Sequence, residues 1–223
     1  MPYKMTKLKI IFVLSCFVSY LYGQDDSHSK KILDEVAAKF KNYPCVQIDF
    51  SMTVAQLQND SEITHKGKIW LKSDKYKLEI PENTLYFDGT KLYHYMSDVK
   101  EVNVSRPDMD DNEELQMFNP KTFFNFSSKN FKSDLVKEST QYGRRVMEIN
   151  LYPVDIKSSG YSRIGLYVEK GTSQIVYLKA VMKNGTRYTL TFSPYNILKA
   201  LPDAFFIFNA SEHPGVEVID LTF

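Results

Sequence analysis

Residues 85–96 read LYFDGTKLYHYM. Two aromatic runs flank Asp88-Gly89, and His94 lies inside the second run. As chemistry, Asp88 and His94 are an acid and a base. As architecture, they are a turn and one point on a pleat. Asp-Gly accepts the positive φ of a tight hairpin tip. A strand rises about 3.3 Å per residue, which carries His94 well down the strand from that tip. Side chains then alternate between faces. Leu92, His94 and Met96 share one face, Tyr93 and Tyr95 the other. An Asp88–His94 contact would need a distorted strand, so the pattern supports a hairpin.

The same period of two runs through most of the chain. VQIDFSMTV (46–54) places Val46, Ile48, Phe50 and Met52 on one face, and GKIWLK, YKLEI, TLYF, KLYHYM and EVNV follow. After a break come RRVMEINLYP (144–153), SRIGLYVEK, QIVYLKAVMK, TRYTLTF and AFFIFN (204–209), then a Pro214-Gly215 turn into a last strand. Lys183-Asn184-Gly185-Thr186 reads as a two-residue hairpin turn. Short strands between turn signals predict a mainly β fold of about 10–11 antiparallel strands, arranged as a meander.

Two segments break the alternation. In residues 28–42, Ile32, Leu33, Val36, Ala37 and Phe40 form one stripe, which predicts a helix ending at Tyr43-Pro44. Residues 106–130 hold two short helical stretches, DNEELQMF and KTFFNF, the second opened by Asn119-Pro120. Leu115, Met117, Phe118, Phe123, Phe124 and Phe126 have little polar relief there. Such a segment is expected to lie on an apolar surface as a cover.

Composition narrows the function. Of 223 residues, 43% are hydrophobic and the formal charge is +1, so a core can form and no polyanion such as nucleic acid is favoured. Residues 1–23 read as an export signal: Lys4, Lys7 and Lys9 precede the apolar run IIFVLSCFVSYLYG, with cleavage expected after Gly23. Its removal shifts the formal charge to −2 and leaves Cys45 alone, so no internal disulfide can form. Residues 24–223 are expected to form a single domain. His28, His65, His94 and His213 have no metal-ligand spacing, and no nucleophile or phosphate-loop motif occurs. The chain is therefore expected to be no enzyme, with no catalytic residue, metal or cofactor.

The order of these segments resembles the periplasmic outer-membrane lipoprotein carriers, the LolA family. The resemblance runs from about residue 30 to residue 223. It is carried by KNYPCVQIDF (41–50), GKIWLKSDKYKLEI (67–80), LYFDGTKLYHY (85–95) and FFIFNASEHPGVEVID (205–220). It implies an incomplete, strongly curved antiparallel β-barrel with an N-terminal helix and short lid helices. It further implies a periplasmic carrier that holds the acyl chains of lipoproteins and moves them from the inner to the outer membrane. Its partners would be acylated lipoproteins, an inner-membrane lipoprotein-releasing ABC transporter and an outer-membrane receptor, with the carrier itself a monomer. The acyl cavity would be lined by Trp70, Tyr76, Leu78, Ile80, Phe87, Tyr93 and Tyr95, and the lid formed by Leu115, Met117, Phe118, Phe123 and Phe124. One departure stands out. Where the family often carries a basic residue and proline, linked to release, this chain has Ser73 and Asp74 between Lys72 and Lys75. Two alternatives share the fold: an envelope lipid or lipoprotein sensor, and a lipid-anchored lipoprotein receptor modified at Cys16.

If the Phe-rich segment is a lid, replacing Phe123 and Phe124 with Ala weakens closure and changes how long a lipoprotein is retained. Transfer assays on the double variant check this, and wild-type loading and transfer would remove the lid assignment.

Overall fold

The computed structural model describes residues 24–56, 61–106 and 130–222. A helix, α1 (Gln24–Lys41), precedes β1 (Cys45–Gln56), β2 (Ser61–Lys72), β3 (Lys75–Ile80), β4 (Asn83–Phe87), β5 (Leu92–Met96) and β6 (Glu101–Ser105). The second series is β7 (Phe131–Gln141), β8 (Arg144–Pro153), β9 (Tyr161–Glu169), β10 (Ile175–Met182), β11 (Arg187–Phe192) and β12 (Asn196–Leu198). Two 3-10 turns, Asp203–Phe206 and Ala210–Glu212, lead to β13 (Glu217–Asp220). Among the described residues these strands make one 13-stranded sheet that does not close into a barrel. No helix among those residues is long and apolar enough to cross a membrane.

Two antiparallel meanders, β1–β6 and β7–β11, are joined by pairing β1 with β11. The short β12 extends that seam against the start of β1, from Cys45↔Leu198 to Gln47↔Asn196. The chain departs from a pure meander only at β13, which pairs parallel to β6.

The sheet has more strands than the alternation predicts, for reasons visible in two segments. β7 escapes notice because its second half, KESTQ, is polar, and a bulge at Leu135/Lys137 breaks its period at the edge of the sheet. AFFIFN errs the other way. Its rings alternate, yet Pro202 precedes a 3-10 turn over Asp203–Phe206, and no ladder pairs the segment with the sheet.

Side-chain alternation is continuous across the ladders. Ile48, Ile69, Leu78 and Leu85 lie in register on the inner face, as do Leu71, Tyr76, Phe87 and Leu92. On the other half, Leu190, Leu178, Leu166 and Ile149 form a further row on the same face, in register with Met52 of β1. α1 lays Ile32, Leu33 and Val36 into this cluster, and all of these side chains are buried. Burying one such aliphatic side chain contributes about 1.5–3 kcal/mol. Ser29 Oγ lies 2.8 Å from Ser133 Oγ, which fixes α1 on β7. Lys39 Nζ donates to the Thr172 carbonyl at 2.5 Å and ties the end of the helix to the β9–β10 turn.

The turns follow the local chemistry with small shifts. The β4–β5 tip is Gly89-Thr90, one residue later than the Asp88-Gly89 reading, with Gly89 at φ 101°. Asp88 Oδ1 accepts from the N–H groups of Thr90 and Lys91, both at 2.8 Å, so the carboxylate closes the turn. The β10–β11 turn is a wider loop: Gly185 N–H donates to Met182 O, and Gly185 sits at φ 89°. It is thus a turn followed by a left-handed residue rather than a two-residue hairpin.

Gly67 faces Phe50 in the β1–β2 ladder. A Cβ there would lie 2.3 Å from Phe50 Cζ and 2.7 Å from the Glu79 carbonyl oxygen, so the ring occupies the space that glycine leaves. Gly67→Ala should therefore destabilise the fold by about 1–3 kcal/mol, read as a lower urea midpoint. A second change, Phe50→Leu, should recover only part of the loss, because the Glu79 carbonyl stays in place.

Candidate functional site: the inner apolar face

The seven residues expected to line one cavity divide between two faces of the sheet. Tyr76, Leu78 and Phe87 are buried on the inner face, and Ile80 sits half-buried at its rim. The Tyr76 and Phe87 rings pack at 5.4 Å across β3 and β4. Trp70, Tyr93 and Tyr95 lie on the outer face instead, because Trp70 pairs with Lys77, Lys77 with Tyr86, and Tyr86 with Tyr93. Tyr95 pairs with Thr84, which shares that outer face. The lid residues Leu115, Met117, Phe118, Phe123 and Phe124 lie outside the described residues.

The inner face is wider than those few residues. Leu85 and Leu92 continue it through β4 and β5, and Phe50, Met52, Leu190 and Leu178 carry it across the seam. The missed signal was Leu85-Tyr86-Phe87, three buried residues in a row. A strand apolar on both faces has no alternation to show which side is which.

His94 faces inward, in register with Leu85. Its Nε2–H donates to Asn83 Oδ1 at 2.7 Å. Asp88 is committed elsewhere: its Oδ2 accepts from the Tyr93 hydroxyl at 3.2 Å. Burial, followed by the Asp88 charge and this bond, pushes the Tyr93 phenol up to about 12. Asp88 and His94 therefore serve two separate networks.

The outer aromatic group is covered by the C-terminal segment. Phe205 meets Trp70 edge-on at 5.4 Å, and Phe208 meets Tyr86 and Tyr95 at 5.8 and 5.2 Å. His213 stacks on Phe208 at 4.8 Å. Lys77 Nζ lies 5.5, 5.0 and 4.9 Å from the centres of Trp70, Tyr86 and Phe205, a cation held among three rings. Lys72 and Lys75, which flank Ser73-Asp74, both reach Asp203, at 2.8 and 2.7 Å. Lys72 also donates to the Leu201 carbonyl at 2.6 Å. β13 then closes the segment onto β6. These contacts form a strap, and they give the aromatic residues outside the inner face a structural role.

No family model matches the sequence, and no curated protein is similar to it. Solved structures do share its shape. An uncharacterized conserved protein from Thermus thermophilus aligns with TM-score 0.59 at 10% identity, covering 86% of this chain and 99% of that one. A DUF1329 family protein from Desulfovibrio piger aligns with TM-score 0.52 at 12% identity, covering 86% and 100%. A LolA superfamily protein from Nitrosomonas europaea aligns with TM-score 0.45 at 14% identity, covering 81% and 97%. The fold is the open, curved sheet with an N-terminal helix that the resemblance to the carriers implies.

The strap is pH-sensitive in a defined direction. Hydrogen bonds from Lys72 and Lys75, and their charges, hold the Asp203 carboxyl down at about 2. An acid with a lowered folded-state value stabilises the fold above its ordinary value near 4, and that contribution is lost as pH falls towards 2. The stability difference between the wild type and Asp203→Asn should be steady above about pH 4, shrink as pH falls, and vanish only below about pH 2. Denaturant midpoints measured across that range check it.

Proposed function

We propose that the protein is a carrier that shields the acyl chains of lipidated proteins inside its curved sheet. The inner face of an open sheet, apolar from β5 through the seam to β8, carries this reading. An acyl chain gains about 0.8 kcal/mol per buried CH₂, so a long chain in water costs on the order of 10 kcal/mol. A sheet that is open at both edges can part from its cover and admit such a chain without breaking its ladders. The inner face supplies Tyr76, Leu78, Ile80 and Phe87 for that purpose, with Leu85 and Leu92 beside them.

The remaining parts follow the resemblance. Residues 1–23 would direct export to the periplasm. An inner-membrane ABC transporter would load the carrier, and an outer-membrane receptor would unload it. The Phe-rich cover, Leu115 to Phe126, would close the face when empty. In this chain the basic residues at the β2–β3 turn, Lys72 and Lys75, hold the C-terminal strap through Asp203. Release would then not depend on a basic residue at Ser73. Binding, not catalysis, is the role of the inner face in this reading.

The two-face division gives the test. Ile80→Asp places a charge at the inner rim, and affinity for a fluorescent long-chain fatty acid should fall about tenfold or more. Trp70→Ala should leave that affinity unchanged while lowering stability through the lost contact with Phe205. Equal loss of acyl binding in both variants, or in neither, would sink the proposal.

A further inference from the structure

The β8–β9 turn (154–160) and the β10–β11 turn (183–186) meet at one end of the sheet. Lys183 donates through its backbone N–H to Gly160 O at 3.0 Å and through Nζ to the Ile156 carbonyl. At the tip, Val154 and Ile156 are 48% and 66% exposed. The Asp155 carboxylate between them is turned back, accepting from the N–H groups of Lys157 and Ser158 at 3.0 and 3.3 Å. Two aliphatic side chains are thus held outward on a turn braced from within.

Cations surround that tip. Arg163, Val181 and Arg187 are in register across β9, β10 and β11. They lie one residue from the inner row Ile164, Ala180 and Tyr188, so both arginines are on the outer face. Lys132 pairs with Tyr152 next to buried Ser133 and Leu151, and so shares that face. Lys157 and Lys183 complete a group of five, all exposed. None of the five forms an ion pair with a carboxylate among the described residues, whereas Lys72, Lys75, Lys77, Arg144 and Lys170 elsewhere all do. Three acids stand near the group: Asp134 on β7 opposite Asn150, Asp155 within the turn, where it feels the Lys183 charge, and Glu62, in the row of Arg187 one strand beyond Ala55.

We infer that this corner docks the protein on an anionic lipid surface. The cations meet lipid phosphates, and Val154 and Ile156 enter the headgroup boundary. Exposed cations beside an anionic bilayer attract it, and buried aliphatic groups add to the attraction. A polyanion without an apolar layer, such as nucleic acid, would leave the aliphatic tip in water. The inference does not depend on acyl chains entering the inner face.

Flotation of the full chain with phosphatidylglycerol–phosphatidylcholine vesicles, beside phosphatidylcholine alone, tests it. Any contribution of the apolar stretch 10–23 is the same in every variant. Binding to the anionic vesicles should exceed binding to the neutral ones and weaken as salt rises. Val154→Asp with Ile156→Asp should weaken it about tenfold. Lys157→Glu with Arg163→Glu and Arg187→Glu should weaken it about a hundredfold or more. Both sets change exposed residues, and circular dichroism identifies a variant that has not folded, leaving the other to decide. Equal binding to both vesicle types, folded variants that bind like the wild type, or capture of an acidic soluble protein in place of vesicles overturns the inference. Fatty-acid affinity should be unchanged throughout, so failure here is distinct from failure of the carrier reading.

Discussion

Phe50 stands between Gly67 on β2 and Phe192 on β11, and the continuity of the sheet passes through it. On one side its ring fills the volume of the missing glycine side chain. On the other it packs at 6.4 Å against the ring of Phe192. Two meanders far apart in sequence become one sheet at this point. A one-residue slip in β1 would turn Val46, Ile48, Phe50 and Met52 outward and break the inner face in two. Register at this seam is therefore a condition for any cavity that spans both halves.

The two faces of the β2–β6 half are both apolar and do different work. The inner face packs against itself and the α1 cluster. The outer face would present Trp70, Tyr86, Tyr93 and Tyr95 to water, and the C-terminal strap prevents that with Phe205, Phe208 and His213. The strap adds a parallel strand at the edge of β6, so the edge exposed at that end is the four-residue β13. Lys77 shows how the cover tolerates a charge: it is caged by rings and paired with Glu79 at 2.8 Å. An open sheet thus covers both apolar faces of this half, the inner one with its own core and the outer one with its own tail.

Much of this is legible in the sequence itself. The turns at Asp88-Gly89 and Asn184-Gly185, the period-two runs and the amphipathic stripe of α1 all have local causes, and each appears within a residue or a few of its expected place. Residues such as Tyr76, Leu78 and Phe87 share a face because a pleat has a period of two, whatever the rest of the chain does. The dismissal of an Asp88–His94 pair also needed no more than that geometry.

Other features had to wait for the fold. Alternation states which residues of one strand share a side. It does not state which side of that strand continues onto which side of the next, so Trp70, Tyr93 and Tyr95 could be grouped with Tyr76 by composition alone. Cross-strand register separates them, and register is set by turns and by distant partners. AFFIFN carries a strand-like pattern because aromatic cover and strand have the same composition. Only the presence of the outer aromatic face, assembled from three other strands, makes it a strap. Likewise Lys132, Lys157, Arg163, Lys183 and Arg187 are scattered along the sequence, and the antiparallel ladder alone gathers them at one corner. The chain's own order determined its elements and their turns, and long-range pairing decided which surface each residue serves.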